Sequence, residues 1–248
     1  MSKPAPALQA TLAVAAMELR FLARRGENLL VTIVIPAAVL QFFASVNVLR
    51  TPGRAVDFLL PGSIALAVIA TSLVNLGIAT AYERRYGVLK RLGGSPLPRW
   101  GLLGAKVMAI VVVELIQIAL LLAIAWFVLG WRSDPALSPA LVVLALLLGT
   151  IAFAGLGLAM AGRLRTEAVL ALANGLFLVF LLLGGIVIPI TELPLELAAL
   201  ASFVPAAPLT DLLRIAFGAA GDPGPPLALL AAWAALATAL AAFTFRWD

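Results

Sequence analysis

GLLGAKVMAIVVVELIQIALLLAIAWFVL, residues 101–129, is a run of apolar sequence in which Lys106 and Glu114 are the only charged side chains. A hydrocarbon core about 30 Å thick is crossed by roughly 20 helical residues rising about 1.5 Å each, so this run spans it with length left to tilt or to project beyond it. Five further stretches reach the same length: 28–47, 58–80, 137–161, 168–190 and 224–245. The chain is therefore predicted to be an all-α polytopic membrane protein with six transmembrane helices, forming one transmembrane domain over residues 1–248.

The composition points the same way and removes several functions. Of 248 residues, 63% are hydrophobic and 12% charged, too apolar for a water-soluble core and too apolar for a disordered chain. With no Cys and no His, thiolate and imidazole metal sites, disulfides, Cys nucleophiles and His bases are excluded together, so neither a metal nor a catalytic residue is expected. No phosphate-binding glycine loop joins a strand to a helix, so the chain is expected to bind no nucleotide or other cofactor itself. A net charge of +5 spread among apolar spans fits orientation signals and anionic-lipid contacts rather than nucleic acid, which is not an expected partner.

Six spans put both termini on one side. Of the 17 basic residues, Arg50, Arg54, Arg132 and Arg214 fall on the opposite side and the other thirteen on the side of the termini. Basic residues near span ends favour the cytoplasm, which predicts cytoplasmic termini, a cytoplasmic 81–100 loop and an external 191–223 segment. Before the first span, residues 8–25 place Leu8, Leu12, Ala15, Leu19 and Leu22 on one helical face, with Glu18, Arg20, Arg24 and Arg25 elsewhere. That pattern predicts an amphipathic helix along the membrane surface. A cleaved signal peptide fits poorly, because no basic start leads directly into an apolar core.

Two connections are unusual. AYERRYGVLKRLGGSPLPRW, residues 81–100, is charged and amphipathic and ends in Gly93, Gly94, Ser95, Pro96 and Pro98. A short helix over 82–92 would carry Tyr82, Leu89 and Leu92 on its apolar stripe and leave Glu83, Arg84, Arg85, Lys90 and Arg91 wet. By charge alone, the segment reads as a topogenic basic loop. The second connection, 184–223, is apolar but divided by Pro189, Pro194, Pro205 and Pro208 into pieces of about a dozen residues, suited to re-entrant or interfacial helices over 191–220.

Inside the spans, Glu114 lies about 18 Å along the third helix from its basic end, with Gln117 on the same face. A carboxyl at that depth must be protonated, paired or exposed to a wet cavity. A role toward substrate or protons and a role as interhelical hydrogen-bond acceptor both satisfy that requirement. Asn75 and Asn174 read first as links between helices, and the small residues Gly155, Gly157, Ala161, Gly162, Ala171 and Gly175 as close-packing positions.

Taken in order, Glu83, Arg84, Gly87, Leu89, Leu92, Pro96 and then Lys106 resemble the ER-x-x-G-x-L-x-x-L-x-x-x-P pattern and Lys-bearing third span of ABC-2 type exporter membrane subunits. Gly184, Gly185, Pro189, Leu193, Pro194, Pro205, Pro208, Asp211 and Arg214 are similar to the broken segment before that family's last span, and Phe58-Leu59-Leu60-Pro61-Gly62 to the start of its second. Arg85 stands where a second acid is common, and Val88 where Thr is common. The resemblance covers nearly the whole chain and implies a permease paired as a homodimer through its first and fifth spans. It also implies two copies of a separate ATPase holding ATP and Mg.

By the same resemblance, 82–92 is a coupling helix that docks on the ATPase through Glu83, Arg84, Gly87, Leu89, Arg91 and Leu92. Gly184, Gly185, Pro189, Pro194 and Pro205 would form an extracellular gate. Gln41, Phe42, Phe43, Asn75, Glu114, Asn174 and Phe177 are the candidate lining of the path. A path poor in charge favours export of a lipophilic small molecule, a drug or antibiotic, from a bacterial cell membrane. Lipid-linked glycan export and a non-transporting membrane scaffold are the competing readings; a polytopic enzyme would need acids or nucleophiles clustered around Glu114.

Overall fold

The computed structural model describes residues 6–24, 26–46, 54–93 and 99–244, and all its regular structure is helical. Expectations resting on Lys3, Arg25, Arg50, Pro96, Pro98 and Arg246 lie outside these residues, as do the side chains of Arg24 and Leu92. Helix α1 is Ala7–Arg24 and α2 is Gly26–Val46. Helix α3 runs from Ala55 to Arg85, and a short α4, Val88–Gly93, follows it. Helix α5, Arg99–Ala123, continues through a π-helical turn at Ile124–Val128. Helices α6, Pro139–Arg163, and α7, Thr166–Leu183, are joined by a tight turn. The short α8, Leu195–Ala201, and α9, Ala206–Ala216, precede α10, Gly224–Thr244.

Five of these helices are long and apolar enough by themselves to cross a membrane: α3, α5 from Gly101 onward, α6, α7 and α10. The sixth expected crossing, 28–47, corresponds to α2, a 21-residue helix whose apolar described part is Thr32–Val46. Apolar surface of this extent is stable only in lipid, which makes the chain a membrane protein.

Helix α3 is the central element, since every residue from Leu59 to Leu73 is buried. Its neighbours reach it closely because small residues meet at the crossings. A β-carbon on Gly157 of α6 would lie 2.9 Å from the Leu73 carbonyl oxygen of α3, and Gly77 of α3 abuts Gly157 in return. Within α3, residues Ile69–Asn75 adopt a π-helix, the kind of local widening that recurs at functional positions. The start of α6 is fixed by Ser138, whose hydroxyl accepts from the Leu141 N–H at 3.5 Å, with Pro139 preset for the first helical position.

Interhelical contacts sort the connections into two ends. At one end the last turns of α3 meet the start of α7, through the Thr166 hydroxyl on the Ala81 carbonyl at 3.3 Å. At the other, Arg54 reaches the carbonyls of Leu129 and Gly130 at 2.9 and 3.0 Å, and the Ser138 N–H donates to Ala216 at 2.8 Å. Helices α8 and α9 meet at 81°. Pro189, Thr191 and Glu192 before them and Arg214, Phe217 and Gly218 at their close line the same cavity, so the pair leaves one end of the bundle and comes back to it.

Two expected boundaries change. The single helix over 82–92 is divided, because Tyr82–Arg85 belong to α3 and the chain turns at Tyr86 and Gly87 before α4. Gly87 sits at φ +68°, a conformation that a side chain opposes and that ends one helix and redirects the next. The fifth expected span, 168–190, ends as a helix at Leu183, since Gly184 caps it and Gly185 turns away at φ +67°.

Candidate functional site

The densest charged cluster lies at the end of α3. Lys106, on α5 and 5% exposed, places Nζ 2.7 Å from Glu18 Oε1 of α1 and 2.5 Å from Glu83 Oε2 of α3. One ammonium thus joins three helices. Each carboxylate keeps only partial access to water, with 12% and 18% of its side chain exposed, so the arrangement depends on the cation between them. Glu83 is turned toward Lys106, while its neighbours hold the next turn of chain: Arg84 donates to the Leu164 carbonyl and Arg85 pairs with Glu167. The last turn of α3 is therefore fastened to α1, α5 and the α6–α7 turn together.

Beyond Gly87, the α4 segment offers mixed chemistry. Leu89 is 2% exposed and packs inward, whereas Lys90 and Arg91 are exposed. Tyr86, 66% exposed, stacks on Tyr82 with ring centroids 6.2 Å apart. The outward face at this end is thus basic and aromatic, with Glu83 withheld from it.

A second polar cluster sits deep between α3, α5 and α6. Ser72 donates to Glu114 Oε1 at 2.5 Å and Thr150 to Glu114 Oε2 at 2.7 Å. Thr71 lies 2.7 Å from Gln117 Oε1, and Gln117 donates to the Thr32 carbonyl of α2 at 3.0 Å. The π-helical stretch carries Thr71 and Ser72 to these partners. Glu114 thus finds an acceptor's role between helices, filled by hydroxyl donors whose pairing sequence reading missed. A Ser or Thr in an apolar span gives no sign of which helix it faces. Asn75 is half-buried, and its Nδ2 has no partner among the described residues; it borders a small cavity shared with Glu18 and Lys106.

The remaining path candidates do not converge inside one chain. Gln41 bonds to Ser45 on its own helix, Phe42 is 59% exposed, and Phe43 meets Phe42 edge to face at 5.2 Å. Asn174 is exposed and donates to Leu170 of its own turn at 2.8 Å, while Phe177 is buried in the core. Phe42 and Asn174 are available to a neighbouring molecule, and Phe177 is not.

At the opposite end, the gate candidates surround the close of α7. A β-carbon on Gly184 would lie 2.3 Å from the Phe180 carbonyl oxygen and 2.6 Å from Ala206 Cβ, so only glycine admits the start of α9 there. Gly185 accepts at its carbonyl from Arg214 of α9, whose guanidinium lies 3.7 Å from the Phe58 ring centroid. Pro205 is buried at the head of α9, Pro189 is half-buried, and Pro194 is exposed.

Residues 9–217 match the family model described as ABC-2 type transporter. No curated protein matches the chain.

Proposed function

The chain belongs to the ABC-2 type transporter family, and from that membership we propose that it is the permease subunit of an ATP-driven exporter. The family is a membrane transport component rather than a catalytic one, and it implies an ABC ATPase as partner. In the proposed assembly two copies of the chain pair through α2 and α7, and two ATPase subunits carry ATP and Mg at the end holding α1, α4 and the α3 terminus. Those elements face the cytoplasm of a bacterial cell, with α1 along the membrane surface and α8–α9 re-entrant from outside.

The observation that carries the coupling reading is the Lys106 junction. A push on the 82–92 segment bears on Glu83, and through Lys106 on both α1 and α5. ATP binding shifts the permease only if the closed ATPase pair favours one arrangement of these helices over another. The exposed basic and aromatic side chains of Arg91, Lys90 and Tyr86 supply the docking surface, and Arg84, Gly87 and Leu89 hold its shape; Leu92, expected on the same segment, would complete it.

Substrate would pass between the two copies, along the faces bearing Gln41, Phe42, Phe43 and Asn174, and leave by a gate built on Gly184, Gly185, Pro189, Pro194 and Pro205. Charge is scarce on those faces, which favours a lipophilic drug or antibiotic over a charged solute. The test is reconstitution with the cognate ATPase in vesicles. ATP-dependent movement of a lipophilic dye supports export; movement of lipid-linked glycan alone assigns that cargo instead, and no movement across a broad panel leaves a scaffold.

A further inference from the structure

The end of the molecule opposite the Lys106 junction opens into a cavity of about 650 Å³, a size that accepts a small molecule or a lipid head group. Three guanidinium groups reach its wall, those of Arg54, Arg132 and Arg214. Each is held by a backbone carbonyl: Arg54 by Leu129 and Gly130, Arg132 by Trp131 at 2.9 Å, and Arg214 by Gly185. The carboxylates of Asp57, Asp134 and Glu192 line the same cavity, and among the described residues none forms an ion pair with those guanidiniums. Arg214 pairs instead with Asp211 at 3.5 Å, leaving Arg54 and Arg132 as the freer cations.

This arrangement presents both signs of charge to an occupant. Guanidinium groups held on neutral dipoles keep their charge and their remaining donors for a phosphate or carboxylate. The separate carboxylates are suited to an ammonium.

Depth is indicated by aromatic residues. Trp131 lines the cavity and packs on Phe217 at 5.9 Å, and Arg132 lies 4.6 Å from the Trp126 ring centroid. Next to Trp126, Phe127 is 82% exposed. Exposed aromatic rings beside arginines at the end of a span mark the boundary between lipid tails and head groups.

We propose that this cavity binds the zwitterionic head of a phospholipid from the adjoining leaflet. The phosphate sits on Arg54 and Arg132, and the ammonium on Asp57 and Glu192. The cavity shares Pro189 with the proposed gate, but lipid binding there needs neither ATPase docking nor a particular cargo, so it is tested separately from the exporter reading.

The test uses the full chain in detergent micelles, with tryptophan fluorescence followed on titration with dihexanoyl phosphatidylethanolamine and with W131F as the control for signal origin. A saturable response is expected, about tenfold or more tighter than for dihexanoyl phosphatidylglycerol and weakened about tenfold or more in R54Q/R132Q. D57N/E192Q, which alters two exposed side chains, is expected to lose the preference for phosphatidylethanolamine while still binding phosphatidylglycerol, and it keeps the test decisive if the arginine variant folds poorly. Equal binding of both lipids by the native chain, or native affinity in R54Q/R132Q, would overturn the proposal. Phosphoethanolamine binding as tightly as the lipid would overturn the lipid assignment and give the site to a soluble zwitterion.

Discussion

Lys106 Nζ lies 2.5 Å from Glu83 Oε2, so the acid at the end of the longest helix is tied to the following span before it can meet a partner protein. The same ammonium holds Glu18, so α1, α3 and α5 are joined at one point.

Lys106→Met is expected to destabilise the chain by about 3 kcal/mol, since it leaves two largely buried carboxylates facing each other. Thermal unfolding in detergent measures this. Lys106→Met/Glu83→Met should cost less than the sum of the single changes, with a coupling of about 1 kcal/mol or more; strict additivity would show that the pair does not act as one unit.

Glu114→Leu removes the acceptor for Ser72 and Thr150 and is expected to cost about 1–3 kcal/mol through the stranded hydroxyls. Glu114→Gln retains one carbonyl oxygen and should cost less. Unfolding midpoints of the two variants give the order, and an equal loss would contradict the hydrogen-bonding role of the carboxyl.

Gly184→Ala is expected to destabilise by about 1–3 kcal/mol, because its new methyl would be forced against the α7 carbonyl and the head of α9. Gly175 of the same helix has nothing within 4 Å of its would-be β-carbon. Gly175→Ala should therefore be neutral or stabilising by up to about 1 kcal/mol, and the comparison separates crowding from any general intolerance of α7.

Gly87→Ala keeps open space around it but strains the φ +68° turn, at a cost of about 1–2 kcal/mol. Gly87→Asn should cost less, since Asn tolerates that conformation better. The corresponding loss of ATPase co-purification is expected to follow the same order, Ala more than Asn.

Much of this was legible in the sequence, for physical reasons. Apolar length revealed the long helices, and the scarcity of charge made Lys106 and Glu114 stand out. The turn after α7 was not legible, because Gly184 and Gly185 lie in an apolar run that reads as one span to residue 190, whereas Gly184 caps the helix and Gly185 turns away at φ +67°. What else stayed hidden depended on rotation about a helix axis. Glu83 reads as a wet acid in an amphipathic segment, yet the continuation of α3 to Arg85 turns it onto Lys106. Ser72 and Thr150 sit in apolar context that says nothing of their facing Glu114, and the π-helical stretch that brings Ser72 there leaves no compositional mark. The meeting of Arg54, Arg132 and Arg214 at one cavity joins residues from three separate connections, which counting charges by side could not foresee.

The most direct measurement of the central claim compares Glu83→Gln with the native chain in vesicles holding the cognate ATPase, recording ATPase association and ATP-dependent transport from the same preparation. If the Glu83–Lys106 tie transmits the motor's closure, association should be retained and transport should fall about tenfold or more. Native transport with native association in Glu83→Gln would contradict it.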